Sequence, residues 1–306
     1  MAESKPITSP TRIPAKGWKT ILLGTKDAIA DDNVPIVSAG VGFYSFLAIF
    51  PALTALISIY GLAFNPQQVQ DQLLQLASVM PEQALEILKQ QLESLVSTSG
   101  GALGWGVAIG ILFSLWSAKQ GTSSLFTGLD IAYGVKKPRG FLMQNAISLL
   151  FTFGAILLVI LSMSLIVAFP ALVGYLGLPD WLENLISWTR WVLLAFIVIS
   201  FLSLIYKYAP ARRPVPETRW VMPGAILATL LWLLASWGFS FYVSNFGNYG
   251  EMYGAISAVV VLMLWLFLTS FIILLGAELN AEIVQYTTKE LKPTFAKHSR
   301  ADTYEP

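Results

Sequence analysis

Few side chains in this 306-residue sequence could do chemistry, and most of them lie inside or at the edges of long apolar runs. Lys119 and Asp130 stand three helical turns apart on one face, and Glu278 and Glu282 form an i, i+4 pair with Asn280 between them. An ionisable group in apolar surroundings is costly, so it marks an ion pair, a ligand contact or a pathway. Brought together, these five residues would make a buried polar network that titrates or grips a headgroup. Held at the water's edge, they would only snorkel. Arg190 sits between Trp188 and Trp191, where it either holds an anion or joins Trp181 in an interfacial aromatic belt, the better-supported reading. Pro51, two turns after Tyr44, and the pair Pro223-Gly224 weaken the backbone ladder inside apolar runs. They are candidate hinges, or static bends beside a polar cavity.

Other chemistries fall away on composition. With no cysteine, thiol catalysis, disulfides and cysteine-bound metals are excluded. The single histidine, His298, stands in a polar tail without a second ligand or acid–base partner. No GxxxxGK[ST] string occurs, so no phosphate-binding loop would power transport from this chain. A net charge of +1 does not suggest nucleic-acid binding. The sequence therefore calls for no cofactor, no metal and no nucleic acid.

The elements that must position these residues are set by 55% hydrophobic and 12% charged residues, half the charge of an ordinary soluble surface, and by a mean hydropathy of +0.64. Six apolar segments approach or exceed the ~20 residues of a spanning helix: 36–64, 103–125, 141–172, 182–206, 221–243 and 253–277. Continuous runs of this length can satisfy their backbone in lipid only as helices. The expected fold is an all-α integral membrane protein with six transmembrane helices. Seventeen of the 19 lysines and arginines fall on the side of the termini and the second and fourth connections; Lys89 and Arg190 are the two others. The positive-inside rule then makes both termini cytoplasmic.

Around that domain (33–285) the sequence predicts a disordered tail (1–15), an interfacial amphipathic helix (16–32) and a cytoplasmic tail (286–306). The long first connection, 65–101, would be external. Its leucines at helical spacing predict an acidic pair of amphipathic helices over 66–98, with Leu85, Leu88 and Leu92 as a face that caps the bundle or docks a partner. Gly100, Gly104, Gly106 and Gly110 give GxxxG spacings suited to close helix packing, which leaves room for an oligomer.

Several strings in this order resemble the YihY/BrkB virulence-factor family of bacterial inner-membrane proteins. They are FYSFLAIFPALTALIS in the first run, GGALGWGVAIGILFSLWSAKQG in the second, Leu204 to Pro210 at the end of the fourth, Pro223-Gly224-Ala225 in the fifth, and Tyr253 through Glu282 in the sixth. The resemblance covers roughly residues 20–285 and implies a six-helix protein of the inner membrane with cytoplasmic termini. Members of that family have carried a ribonuclease label, which these residues do not support: they offer neither a histidine pair nor a metal-holding carboxylate set beside a basic RNA surface.

The reading that follows is a non-enzymatic membrane protein that moves or presents a lipid or lipid-linked envelope substrate, with membrane lipids as partners. The alternative is a scaffold that docks a periplasmic lipid-transfer or assembly protein through residues 65–101. A channel ranks third, for want of a repeated charged ring.

Overall fold

The computed structural model describes residues 9–63, 102–135, 139–168, 179–211, 217–246 and 256–301. Within them lie α1 (Ala15–Asp31), α2 (Val34–Ala63), α3 (Ala102–Ala132), α4 (Phe141–Met163), α5 (Asp180–Tyr208), α6 (Thr218–Phe246) and α7 (Ile256–Ala301). No strand occurs among the described residues. Helices α4, α5, α6 and α7 are each long and apolar enough to cross a bilayer, and α1 with α2, bent by 64° at their junction, would make a fifth crossing. The external helical pair, with Leu85, Leu88 and Leu92, lies outside the described residues.

α7 is the hub, packing against α6, α2, α1 and α3, while α3 lies along α2 and carries α4 on another face. The buried core gathers at the end of the bundle where the basic connections emerge. Phe126 and Leu129 of α3, Tyr206 of α5, Val221 and Ala225 of α6, and Leu274 and Ala277 of α7 meet there. Small residues allow the closest crossing. A Cβ on Gly224 would run into the carbonyl oxygen of Gly276, and one on Gly276 would lie 2.5 Å from the Tyr206 hydroxyl. By contrast α4 is the least enclosed helix. Phe141, Leu142, Leu150, Leu157 and Val159 are all more than half exposed, as suits a lipid-facing wall.

Two boundaries differ from the sequence expectation. The tail expected to lack structure through residue 15 forms a helical turn at Pro10–Arg12, and Ile13 is buried with Ile21, Leu279 and Ile283. Ile13 is an apolar side chain just ahead of α1, a local signal that the three prolines obscure. The sixth apolar run was expected to end at Ala277, yet α7 continues to Ala301. Nothing in the intervening sequence breaks a helix before Pro293, so Glu278, Asn280 and Glu282 lie inside α7, not at its end.

Candidate functional site: a polar seam and its cavity

The structure splits the expected charge network into three separate arrangements. Asp130 belongs to the first. α3 ends in a Schellman turn: Gly134 adopts φ +59°, its N–H reaches the Ile131 carbonyl, and Val135 N–H reaches the Asp130 carbonyl. The positive φ is why glycine stands there. This turn holds the Asp130 carboxylate, beyond the apolar stretch of α3, against the chain leaving α5, where its Oδ1 accepts from Ala211 N–H at 2.7 Å. Burial pushes the Asp130 carboxyl above its ordinary value; the Ala211 N–H and the Arg139 charge pull the other way and lose. Arg139 spends its fork on the end of the same helix, donating to the carbonyls of Tyr208, Ala209 and Pro210 at 2.8 Å each. A cation on orphan C-terminal carbonyls satisfies hydrogen bonds and complements the helix dipole together.

Asn280 makes the second arrangement. Fully buried, it accepts from Gly224 N–H at 2.8 Å and donates to the Val221 carbonyl at 3.0 Å. Both bonds fall on the turn of α6 that contains Pro223. The candidate hinge Pro223-Gly224 is thus the point where α6 is bolted to α7. Glu278 and Glu282 make the third arrangement, facing the junction of α1 and α2.

Lys119 joins none of these. α3 continues to Ala132, so Lys119 sits inside the helix, about 16 Å along the axis from Asp130 at 1.5 Å per residue. Arg190 lies over the Trp191 ring at 5.4 Å, and Trp181, Trp188 and Trp191 are at least half exposed. Tyr44 is largely exposed on α2 and meets Phe43 edge-on. Pro51 lies within α2, its side chain outside the described residues.

A feature the sequence reading missed runs between α3 and α4. Three rungs of paired polar positions climb away from the Asp130–Arg139 end. Gln144 and Thr127 line a cavity together; above them Ser123 donates to Ser148 Oγ at 3.1 Å; above these Thr122 meets Thr152 at 2.8 Å. Thr152 also donates to the Ser148 carbonyl, which leaves Thr122 as donor in their shared bond. Ser148 and Thr152 are buried. The signal was present in Gln144, Ser148 and Thr152 at i, i+4, i+8, facing Ser123, Thr127 and Asp130 on one stripe of α3. It escaped notice because hydroxyls inside apolar runs barely lower hydropathy.

The seam opens at its lower end into a cavity of about 570 Å³, lined by Thr127, Asp130, Ile131, Gly134, Val135, Arg139 and Gln144. That volume suits a headgroup-sized ligand. From Gln144 to Thr152 the seam rises about 12 Å, some two-fifths of a ~30 Å hydrocarbon core. No cluster of metal-ligating side chains occurs among the described residues.

Comparison with known proteins places the chain. The family model for the virulence factor BrkB matches residues 25–300. A putative ribonuclease-like protein, YfkH of Bacillus subtilis, is 29% identical over 249 residues, covering 80% of this chain and 88% of its own length. UPF0761 membrane proteins of Xanthomonas axonopodis and Xanthomonas oryzae are 38% and 36% identical over 90 and 93 residues, about a fifth of their own length. No solved structure matches. With nine-tenths of its length inside the family model, the chain is a member of the BrkB virulence-factor family of membrane proteins.

Proposed function

We propose that this protein moves or presents a lipid, or a lipid-linked envelope precursor, across the inner membrane of its cell. It has six spans and cytoplasmic termini, and neither a nucleotide site nor a catalytic centre of its own. The observation that carries this reading is the polar seam. It starts in a cavity at the basic, cytoplasmic end and climbs between α3 and the lipid-exposed α4 toward mid-membrane. A headgroup moving along such a track would exchange hydrogen bonds with Gln144, Ser148 and Thr152 while its acyl chains stay in lipid. Hydroxyl pairs between helices contribute only about 0.6 kcal/mol each in a bilayer. α4 meets α3 through such pairs and the aromatic contact Phe126–Phe151, with much of its surface exposed, so we take it as the wall that parts from α3.

The test is reconstitution into vesicles carrying a phospholipid with a fluorescent acyl chain, followed by back-extraction of the probe from the outer leaflet. Transbilayer exchange should accelerate with the protein and return toward the protein-free rate in the triple variant Gln144→Leu, Ser148→Ala, Thr152→Val. Exchange no faster than in empty vesicles would remove the transport reading and leave the scaffold, to be sought through residues 65–101.

A further inference from the structure

We propose that Glu278 is a proton-binding site: its carboxyl carries a proton while α1 is docked on α7, and losing that proton undocks α1. This goes beyond the lipid reading, and it rests on a different part of the molecule.

Glu278 is 1% exposed, and its Oε1 is buried without a hydrogen-bond partner. A carboxylate so placed would need a cation or several donors to stay charged. The neighbours supply the opposite. Asp32 faces it from the junction of α1 and α2, and Glu282 follows one turn along α7. On α1 the charged side chains Lys16, Lys19, Lys26, Asp27 and Asp31 are exposed to solvent. α2 bears no Lys, Arg, Asp or Glu, and its described tyrosine, Tyr44, is largely exposed. Arg219 at the start of α6 pairs with Glu217. On α3, Asp130 is bound to Ala211 N–H, and Lys119 is several turns away. The Tyr206 hydroxyl of α5 donates to the Ile273 carbonyl. Among the described residues of these packed elements no base or cation is paired with the Glu278 carboxyl, so its neutral form is the one this site accommodates.

The surroundings give the proton a mechanical consequence. α1 lies on the face of α7 that carries Glu278 and Glu282, with Ile13 and Ile21 against Leu279 and Ile283. Glu282 lies across Gly24, where an added Cβ would stand 2.5 Å from its Oε2. The junction turns 64° at Asp32 and Asn33, with Asn33 at φ +51°, a conformation that asparagine tolerates better than most residues. Ionising Glu278 adds a negative charge at a docking face that already carries the carboxyls of Asp32 and Glu282, and the bent junction is the place where α1 can yield. The docked state binds the proton, so rising pH favours undocking.

The experiment uses the full chain in lipid nanodiscs, and the absence of native cysteine makes labelling direct. Infrared spectra at neutral pH should contain a protonated-carboxyl band that is missing in Glu278→Gln, an isosteric change that preserves the fold. Spin labels at Lys19→Cys and Glu217→Cys, both exposed, should move apart as pH rises in the parent protein and stay together at every pH in Glu278→Gln. Asp32→Asn removes one like charge, so the docked state tolerates an ionised Glu278 better and the separation should shift to higher pH. The proposal fails if the infrared band is absent from the parent or unchanged in Glu278→Gln. It fails equally if the labels separate alike in Glu278→Gln and its parent, or if Asp32→Asn leaves the transition where it was. None of these readings depends on lipid exchange.

Discussion

Replacing Gln144 with Leu, Ser148 with Ala and Thr152 with Val strips the α4 side of the seam while keeping side-chain volume nearly constant. Two interhelical hydroxyl bonds are lost, Ser123 to Ser148 and Thr122 to Thr152. At about 0.6 kcal/mol each, the fold loses roughly 1 kcal/mol, and the freed hydroxyls of Ser123 and Thr122 can turn to their own helix carbonyls. The melting temperature should therefore fall by no more than about 2–4 °C. Transport should respond far more strongly. Three hydrogen-bonding partners for a passing headgroup, at about 1 kcal/mol each, raise the barrier by about 3 kcal/mol and slow exchange roughly 100-fold. The assay is probe exchange in vesicles with protein content matched by quantitative labelling, alongside a melting curve in the same lipid. A folded triple variant with undiminished exchange would refute the seam as a path.

Other perturbations test the architecture that holds the site. Gly224→Ala forces a methyl into the Gly276 carbonyl, which is backbone and cannot swing away, so stability should drop by about 1–3 kcal/mol in chemical or thermal unfolding. Asn280→Leu removes both side-chain bonds that tie α7 to the α6 backbone, at a cost of about 1–3 kcal/mol by the same measurement. Arg139→Ala removes three hydrogen bonds from the end of α5 and should free it, seen as faster amide exchange confined to the last turn of that helix. Asp130 carries a carboxyl raised by burial, so the folded state binds its proton more tightly than the unfolded chain does, and the stability this adds is lost as pH rises through its titration. Asp130→Asn keeps the acceptor for Ala211 N–H and should be at least as stable as the parent at neutral pH, with the difference closing on acidification.

The helices and their apolar character were legible because lipid leaves a long apolar run no alternative to a helix, and that constraint acts locally. The site was much less legible. Lys119, Asp130, Glu278, Asn280 and Glu282 shared a common chemistry in one dimension, yet α3 carries Lys119 far from its end, and α7 turns Asn280 toward α6 while Glu278 and Glu282 face α1. Which neighbour each side chain meets depends on helix order around the hub, and spacing within one helix does not encode that. Pro223-Gly224 misled for the same reason. A proline and a glycine in a helix weaken it in isolation, but here Asn280 bonds the neighbouring backbone at Gly224 and Val221, and Gly276 fills the space. The seam was readable in principle, since its two stripes match in period and antiparallel order. It required scoring hydroxyls by position, where hydropathy scores them by amount.

The energetics are uneven in a way that bears on mechanism. Where α5, α6 and α7 meet, glycines permit backbone contact, Tyr206 ties α5 to α7, and Asn280 ties α7 to α6, so these three helices are bonded to one another. α4 has no comparable side-chain bond to a neighbour's backbone among its described contacts: it meets α3 through two hydroxyl bonds and the edge-on pair Phe126–Phe151, and much of its surface is exposed. A bonded trio beside a loosely held wall is what lateral access to a membrane path requires, because lipid must enter from the side without unfolding the bundle. The Arg139 anchor sets where opening can begin. It pins the chain entering α4 to the end of α5, so separation from α3 must grow toward Thr152 while the cavity mouth stays fixed. A distance pair near Thr152 should therefore fluctuate more widely than one near Gln144, and equal spread at the two ends would contradict a pinned, one-ended opening.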